Sequence, residues 1–319
     1  MNTEPLEEEI AQENIGGKSR GRKLVKKFDN EACTWVEVKN TDVPVPEVKE
    51  YAVTFTEYRK ENSPGEYHRS TVATSSRGLI RLLKENVEHS RDDMWQKEEV
   101  VLKSPYQMLV YSWNKLNART ERPTHSELDH EKEAREDLSL LLCYVRNSQE
   151  LKDYFESRES DYHRGITSFK NLWTIFAPST TVVAAPFMGI QQLFEVSQIT
   201  KILASSYKDV KDYWLITCSI IDFDGAFCRK EYQFKIEQFD DTRSITSLEC
   251  FPSKFLDNEA EFFEQCEKRG RDFKKYCFGL KGAQKLFTYS GDALSSGVGL
   301  VGSKATVLQQ QVGNWHLLC

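Results

Sequence analysis

Between Lys211 and Phe239 two runs of alternating apolar and polar residues flank Asp224-Gly225. No other stretch narrows the choice of fold as far. Asp-Gly supplies the positive φ angles that a two-residue type I′ hairpin needs, so the spacing predicts strands over Asp212–Asp222 and Ala226–Gln238 joined by a tight turn. In the second strand Cys228, Tyr232, Phe234 and Ile236 fall largely on one face, and Arg229, Glu231, Gln233 and Lys235 on the other. One face packs and the other meets water, as in an antiparallel sheet. A turn at Asp224-Gly225 sets Cys228 opposite Ile221 and on the face away from Cys218, so these two thiols do not bridge.

Further strands are predicted at Thr181–Ala185, Leu193–Leu203 and Ser244–Leu248, with a short one near Phe287–Tyr289. A charged helix over Asn258–Gly270 turns Phe262, Phe263 and Cys266 inward. Upstream, strands are predicted at Thr34–Val38, Tyr51–Tyr58 and Ser70–Thr74. A helix then follows a Ser75 or Ser76 cap, with Leu79, Ile80, Leu82, Leu83 and Val87 inside. Ser104-Pro105 predicts a second helix with proline at its first position. Ser126 caps a long helix that becomes apolar at Leu138, and Ile166, Phe169, Leu172, Trp173 and Phe176 suggest another piece that Pro178 ends.

The fold class is therefore α+β: an N-terminal strand/helix unit, a helical connector, and a C-terminal antiparallel β domain with a charged helix. The expected boundaries are a disordered charged tail over 1–30, a small α+β unit over 31–120, the connector over 121–165, the β-rich domain over 166–291 and a loose Gly-rich tail over 292–319.

A net charge of −6 gives no global attraction for nucleic acid or anionic lipid, although local patches could still bind either, so nucleic acid is disfavoured as a partner. The basic cluster Lys18, Arg20, Arg22, Lys23, Lys26 and Lys27 reads as a solvated run, with a nuclear import signal or a patch for acidic partners as the alternatives. No apolar stretch reaches membrane-helix length and the start lacks a secretory pattern, so an intracellular protein, cytoplasmic or nuclear, is expected. The eight cysteines are scattered singly and read as reduced, mostly buried thiols.

Several marks carry a family resemblance: Ser104-Pro105-Tyr106 with Leu109; Leu172-Trp173-Thr174-Ile175-Phe176-Ala177-Pro178; Ile221-Asp222-Phe223-Asp224-Gly225; Ile236 with Phe239; Ile245 with Leu248; Phe251-Pro252; Arg269-Gly270 with Phe273; and Tyr289-Ser290-Gly291. In this order they resemble the N-terminal region of a family of AAA-type ATPases found mainly in filamentous fungi, over roughly Tyr51 to Gly291. The resemblance implies a domain of unassigned activity placed before a AAA motor, recognising substrate or adaptor while the motor remodels it. Three positions depart from the pattern. Ser179 and Asp241 stand where the family commonly has glycine, and Ser253 where an apolar residue usually follows Phe-Pro.

No motor is expected within these 319 residues. Gly297 to Lys304 has the G-x-x-x-x-G spacing, but Ser303 precedes Lys304 where a phosphate loop needs lysine directly after the second glycine. ATP hydrolysis by this chain is not expected, and no cofactor is. The expected function is a non-catalytic protein-interaction or substrate-recognition module; the alternative is a truncated form of a full AAA-type ATPase.

No catalytic constellation is found, neither a nucleophile elbow nor a C-x-x-C pair, and His125 and His130 lie five apart rather than the four that align two ligands on a helix. Asp222 and Asp224, before Gly225, read as a structural turn or a weak metal candidate, since further oxygen ligands at calcium-loop spacing are lacking. A hydrolase built on those two carboxylates is the third reading. Trp173, Phe176, Phe187, Phe194 and Trp214 are candidates for an apolar partner-binding groove, with hydrophobic core as the competing assignment. An exposed strand in the β region offers strand addition as another route to a partner.

Overall fold

The computed structural model describes residues 20–29, 33–38, 51–59, 67–88, 92–121, 128–187, 189–204, 211–223 and 226–277. The chain divides into two compact units, Met1–Phe155 and Glu156–Cys319. It is α+β, with an antiparallel sheet and a charged helix in the second unit. The expected strand near Phe287–Tyr289, the tail over 292–319, and Asp224, Gly225 and Ser126 lie outside the described residues.

The first unit is built on β1 (Gly21–Asp29), β2 (Thr34–Glu37), β3 (Val53–Arg59), β4 (Tyr67–Thr74) and β5 (Val100–Lys103), in the order β2-β1-β3-β4-β5. Only the β1–β3 pairing is parallel. Residues Gly21–Asp29 thus form an inner strand where the sequence suggests a tail. The reason is visible in the side chains: Arg22 lies over the Tyr51 ring, Lys23 over Phe55 and Lys26 over Tyr58, at 5.0, 5.8 and 6.0 Å. Lysine and arginine stems cover apolar surface while their charges stay near water, and so hide the alternation that marks a strand.

Helices α1 (Arg77–Asn86), α2 (Gln107–Tyr111), α3 (Trp113–Ala118) and α4 (Asp129–Arg146) complete the unit. Ser76 caps α1: its Oγ accepts from the Leu79 N–H at 3.4 Å and donates to Asp137 of α4 at 2.8 Å. Leu79, Ile80 and Leu83 are buried, as are Leu138, Leu141, Leu142 and Val145 of α4. A Cβ on Gly78 would lie 2.9 Å from the Ala134 Cβ, so the two helices approach closely there. The segment expected as a connector therefore contributes α4 to this unit's core.

Pro105 is not at a helix start. Tyr106 takes a left-handed backbone (φ 58°) before α2 begins at Gln107, and its buried hydroxyl lies 2.6 Å from Ser70 Oγ. The boundary between the units falls within α5 (Lys152–Arg164).

In the second unit β7 (Thr181–Phe187), β8 (Ile190–Ile202), β9 (Tyr213–Phe223), β10 (Phe227–Glu237) and β12 (Cys250–Pro252) form an antiparallel sheet ordered β10-β9-β8-β7-β12. A small ribbon pairs β6 (Ile166–Ser168) with β11 (Thr242–Ser244), and α6 (Glu259–Cys277) follows. Ile166 to Phe176 is a strand and one 3₁₀ turn, not a helix, because Gly165 at φ 61° ends α5 and β-branched residues follow. The strand expected at Ser244–Leu248 is likewise a 3₁₀ turn over Ile245–Ser247. Phe262 and Phe273 of α6 are buried; Phe263, expected inward, is exposed. Among the described residues no helix is long and apolar enough to cross a membrane.

Candidate functional site

The aromatic side chains expected to line a groove fill the second unit's core instead. Trp173, Phe176, Phe194 and Trp214 are each 7% exposed or less. Phe194 receives Tyr232 and Phe234 of β10 edge-on at 5.6 and 5.2 Å, and Trp214 donates its Nε1–H to the Phe169 carbonyl at 2.9 Å. Phe187 ends β7; its side chain lies outside the described residues. A groove and a sheet core demand the same alternation of large apolar residues, so sequence cannot separate them. Burial does.

Asp222 stands in β9 on the face of Cys218, Ile216 and Trp214, facing the core at 2% side-chain exposure. The register pairs Phe223 with Phe227 and Asp222 with Cys228, leaving three residues in the connection instead of two. One residue of slip changes faces. Cys228 is thus on the same face as Cys218, four positions along, and neither forms a disulfide. Of the six cysteines described only Cys218 and Cys250 are buried, and burial pushes the Cys218 thiol up to about 12.

The Asp222 carboxylate is engaged on both oxygens: Lys230 Nζ lies 2.7 Å from Oδ2, and the Phe223 amide donates to Oδ1 at 2.7 Å. Burial first, and then the Asp222 charge, raise the Tyr232 hydroxyl above its ordinary range. This is a closed ion pair. Among the described residues no group of three His, Cys, Asp or Glu side chains is placed to hold a metal.

Beside the end of β10 lies a cleft of about 530 Å³ lined by Lys235, Glu237, Phe239, Arg243 and Glu249. Within the wall Lys235 meets Glu237 at 2.7 Å, and Arg243 lies 5.6 Å from the Phe239 ring. The hydrogen bond from Lys235 holds the Glu237 carboxyl below the usual range.

β10 itself is the sheet's edge. It runs eleven residues against β9, and no described strand pairs its other side. About half of its N–H and C=O groups point to that side. Its water face carries exposed Arg229, Glu231, Gln233, Lys235 and Glu237, and exposed Ile221 and Phe227 stand near the hairpin end.

The first unit holds a second surface that the sequence did not single out. Identifiable helix contacts lie on one face of its sheet: Phe55 stacks on Tyr144, Gly21 abuts Leu140, and Ser70 meets Tyr106. On that face three cations have acids. Lys23 and Arg59 reach Glu57 at 2.6 and 2.9 Å, and Arg20 meets Glu133 and Asp137. Burial alone raises the Glu57 carboxyl, but its two cations outweigh burial and hold it low.

Register places Arg22, Lys26 and Phe28 of β1, Trp35 of β2, Tyr58 of β3 and Arg69 of β4 on the other face. There Phe28, Trp35 and Tyr58 meet edge-on at 5.3 and 5.0 Å, and the Arg69 guanidinium lies 4.8 Å from Tyr58 and 5.8 Å from Trp35. Three cations sit on rings rather than on acids.

A family model described as a domain of unknown function (DUF7025) matches residues 157–257, roughly a third of the chain, wholly inside the second unit. No curated protein and no solved structure matches the chain.

Proposed function

We propose that the chain is a non-catalytic binding module that recruits a protein partner or protein substrate by strand addition along β10. The carrying observation is the place of β10 at the end of the described strand order, with charged side chains along Gln233–Glu237 that give register and specificity. The Asp222 carboxylate, engaged by Lys230 on one oxygen and by the Phe223 amide on the other, supports a binding role.

Kinship with the N-terminal region of fungal AAA-type ATPases belongs to the same proposal. It draws support from two backbone angles: Ser179 and Asp241, where that family commonly has glycine, have φ 60° and 54°, the left-handed conformation that glycine adopts most easily. If the native reading frame continues beyond Cys319 into a phosphate loop, the module serves a motor in cis. Sequencing the transcript across that codon distinguishes the two arrangements.

The test is hydrogen exchange on a complex formed with a partner isolated by tagged bait. β10 amides gain protection on binding, and the Glu231→Lys, Lys235→Glu double variant binds about tenfold more weakly, equivalent to ~1.4 kcal/mol. A partner that protects other segments and leaves β10 exchange unchanged overturns the reading. So does turnover of Mg-ATP by the purified chain above that of a buffer blank.

A further inference from the structure

We propose that the first unit's second sheet face binds single-stranded nucleic acid through Arg22, Lys26, Phe28, Trp35, Tyr58 and Arg69. This goes beyond partner binding at β10 and does not depend on it. Arg22 and Arg69 are exposed, and Lys26, Phe28, Trp35 and Tyr58 half-buried. Thr56 and Thr71, the short side chains near the centre of the face, are buried, so the larger groups stand around a low floor.

Charge complementarity is the first argument. Arg22 hydrogen-bonds Thr54 at 3.3 Å and lies over Tyr51, while Lys26 and Arg69 rest on rings; none of the three meets a carboxylate among the described residues. Glu37 stands opposite Lys26 across β1–β2 and is the acid nearest in register. On the helix side of the same sheet Lys23, Arg59 and Arg20 are neutralised by Glu57, Glu133 and Asp137, whereas no ion pair reaches Arg22, Lys26 or Arg69 among the described residues. Uncompensated cations held by rings lose little freedom when a phosphate arrives.

The rings decide which polyanion fits. An acidic peptide could use the charges but has no use for three aromatic side chains gathered at one end of a sheet face. A duplex turns its bases inward. A single strand presents unstacked bases to aromatic and guanidinium planes and phosphates to the cations, and sheet faces with this pairing of groups suit it. The negative whole-chain charge opposes long-range attraction, so binding is weak, on the order of 10⁻⁵ M at moderate salt, and is lost steeply as salt rises. With three phosphates neutralised, the slope of log K against log salt is about −2.

The experiment is fluorescence anisotropy of the full chain with labelled 20-nucleotide oligo-dT and oligo-U, at 50 to 200 mM salt. The wild type binds both single strands more tightly than a duplex of equal length. Arg69→Gln weakens binding about tenfold and flattens the salt slope by about 0.7. Tyr58→Leu weakens it at least fivefold, whereas Tyr58→Phe, which keeps the ring, binds like the wild type. Arg271→Gln, at an exposed cation of α6, changes nothing. Circular dichroism confirms that each variant is folded, and the exposed Arg69 provides a readout if Tyr58→Leu fails to fold. The proposal is overturned if the wild type binds no single strand at 50 mM salt, if an acidic peptide competes as well as oligo-U while Tyr58→Leu binds normally, or if Arg69→Gln leaves affinity and slope unchanged.

Discussion

At the residue scale, charge is arranged in pairs whose pH responses differ in sign. Lys23 and Arg59 hold the Glu57 carboxyl low, overcoming the effect of burial, so its stabilisation is present above the unfolded value of 4.5 and fades as pH falls through the lower folded value. Asp137 is the reverse: burial raises it despite the bond from Ser76 and the charge of Arg20. Its contribution is full below 3.8 and is lost as pH rises through the folded value. Between pH 3 and 6, therefore, the wild type gains Tm relative to Glu57→Gln and loses Tm relative to Asp137→Asn, a contrast that melts at a series of pH values check directly. Asp222→Asn removes the partner of Lys230 and costs roughly 1–3 kcal/mol, less than a fully enclosed pair because the Lys230 side chain is 31% exposed. Denaturant titration measures that loss, and a hydrolase built on Asp222 would instead lose activity with stability intact.

At the element scale, two helical glycines separate propensity from packing. Gly270 of α6 has nothing within 4 Å of an added Cβ, so Gly270→Ala stabilises by about 1 kcal/mol. Gly78 of α1 faces Ala134, and Gly78→Ala fails to deliver that gain because an α1–α4 backbone shift must accompany it. Equal gains in the two unfolding curves would refute the close approach. Ser179→Gly removes a left-handed cost of ~1–2 kcal/mol but adds unfolded-chain entropy of under ~1, leaving a small net stabilisation. The hairpin was legible as an element: β9 and β10 lie where alternation put them, and the dry and wet faces of β10 are those expected. Its register was not, because Asp-Gly specifies a turn but not whether two or three residues make the connection.

At the scale of the whole molecule, each unit closes its own core, which thiol chemistry can follow. Cys218 and Cys250 react with maleimide only on unfolding, since burial pushes both thiols up, while exposed Cys33 and Cys143 react in the native state; peptide mass spectrometry of briefly labelled protein reports the pattern. Early labelling at Cys218 would show that the sheet of the second unit opens. The amino-acid sequence by itself determined the α+β class, the positions of most strands and a serine cap at Ser75 or Ser76, because those follow from alternation, helical spacing and capping chemistry within a few residues. Tertiary structure alone decided that Gly21–Asp29 is an inner strand and that Trp173, Phe176, Phe194 and Trp214 are core. It likewise decided that Arg22, Lys26 and Arg69 share one face with Phe28, Trp35 and Tyr58. Those outcomes depend on which distant strands pair and in what register, and local sequence carries neither.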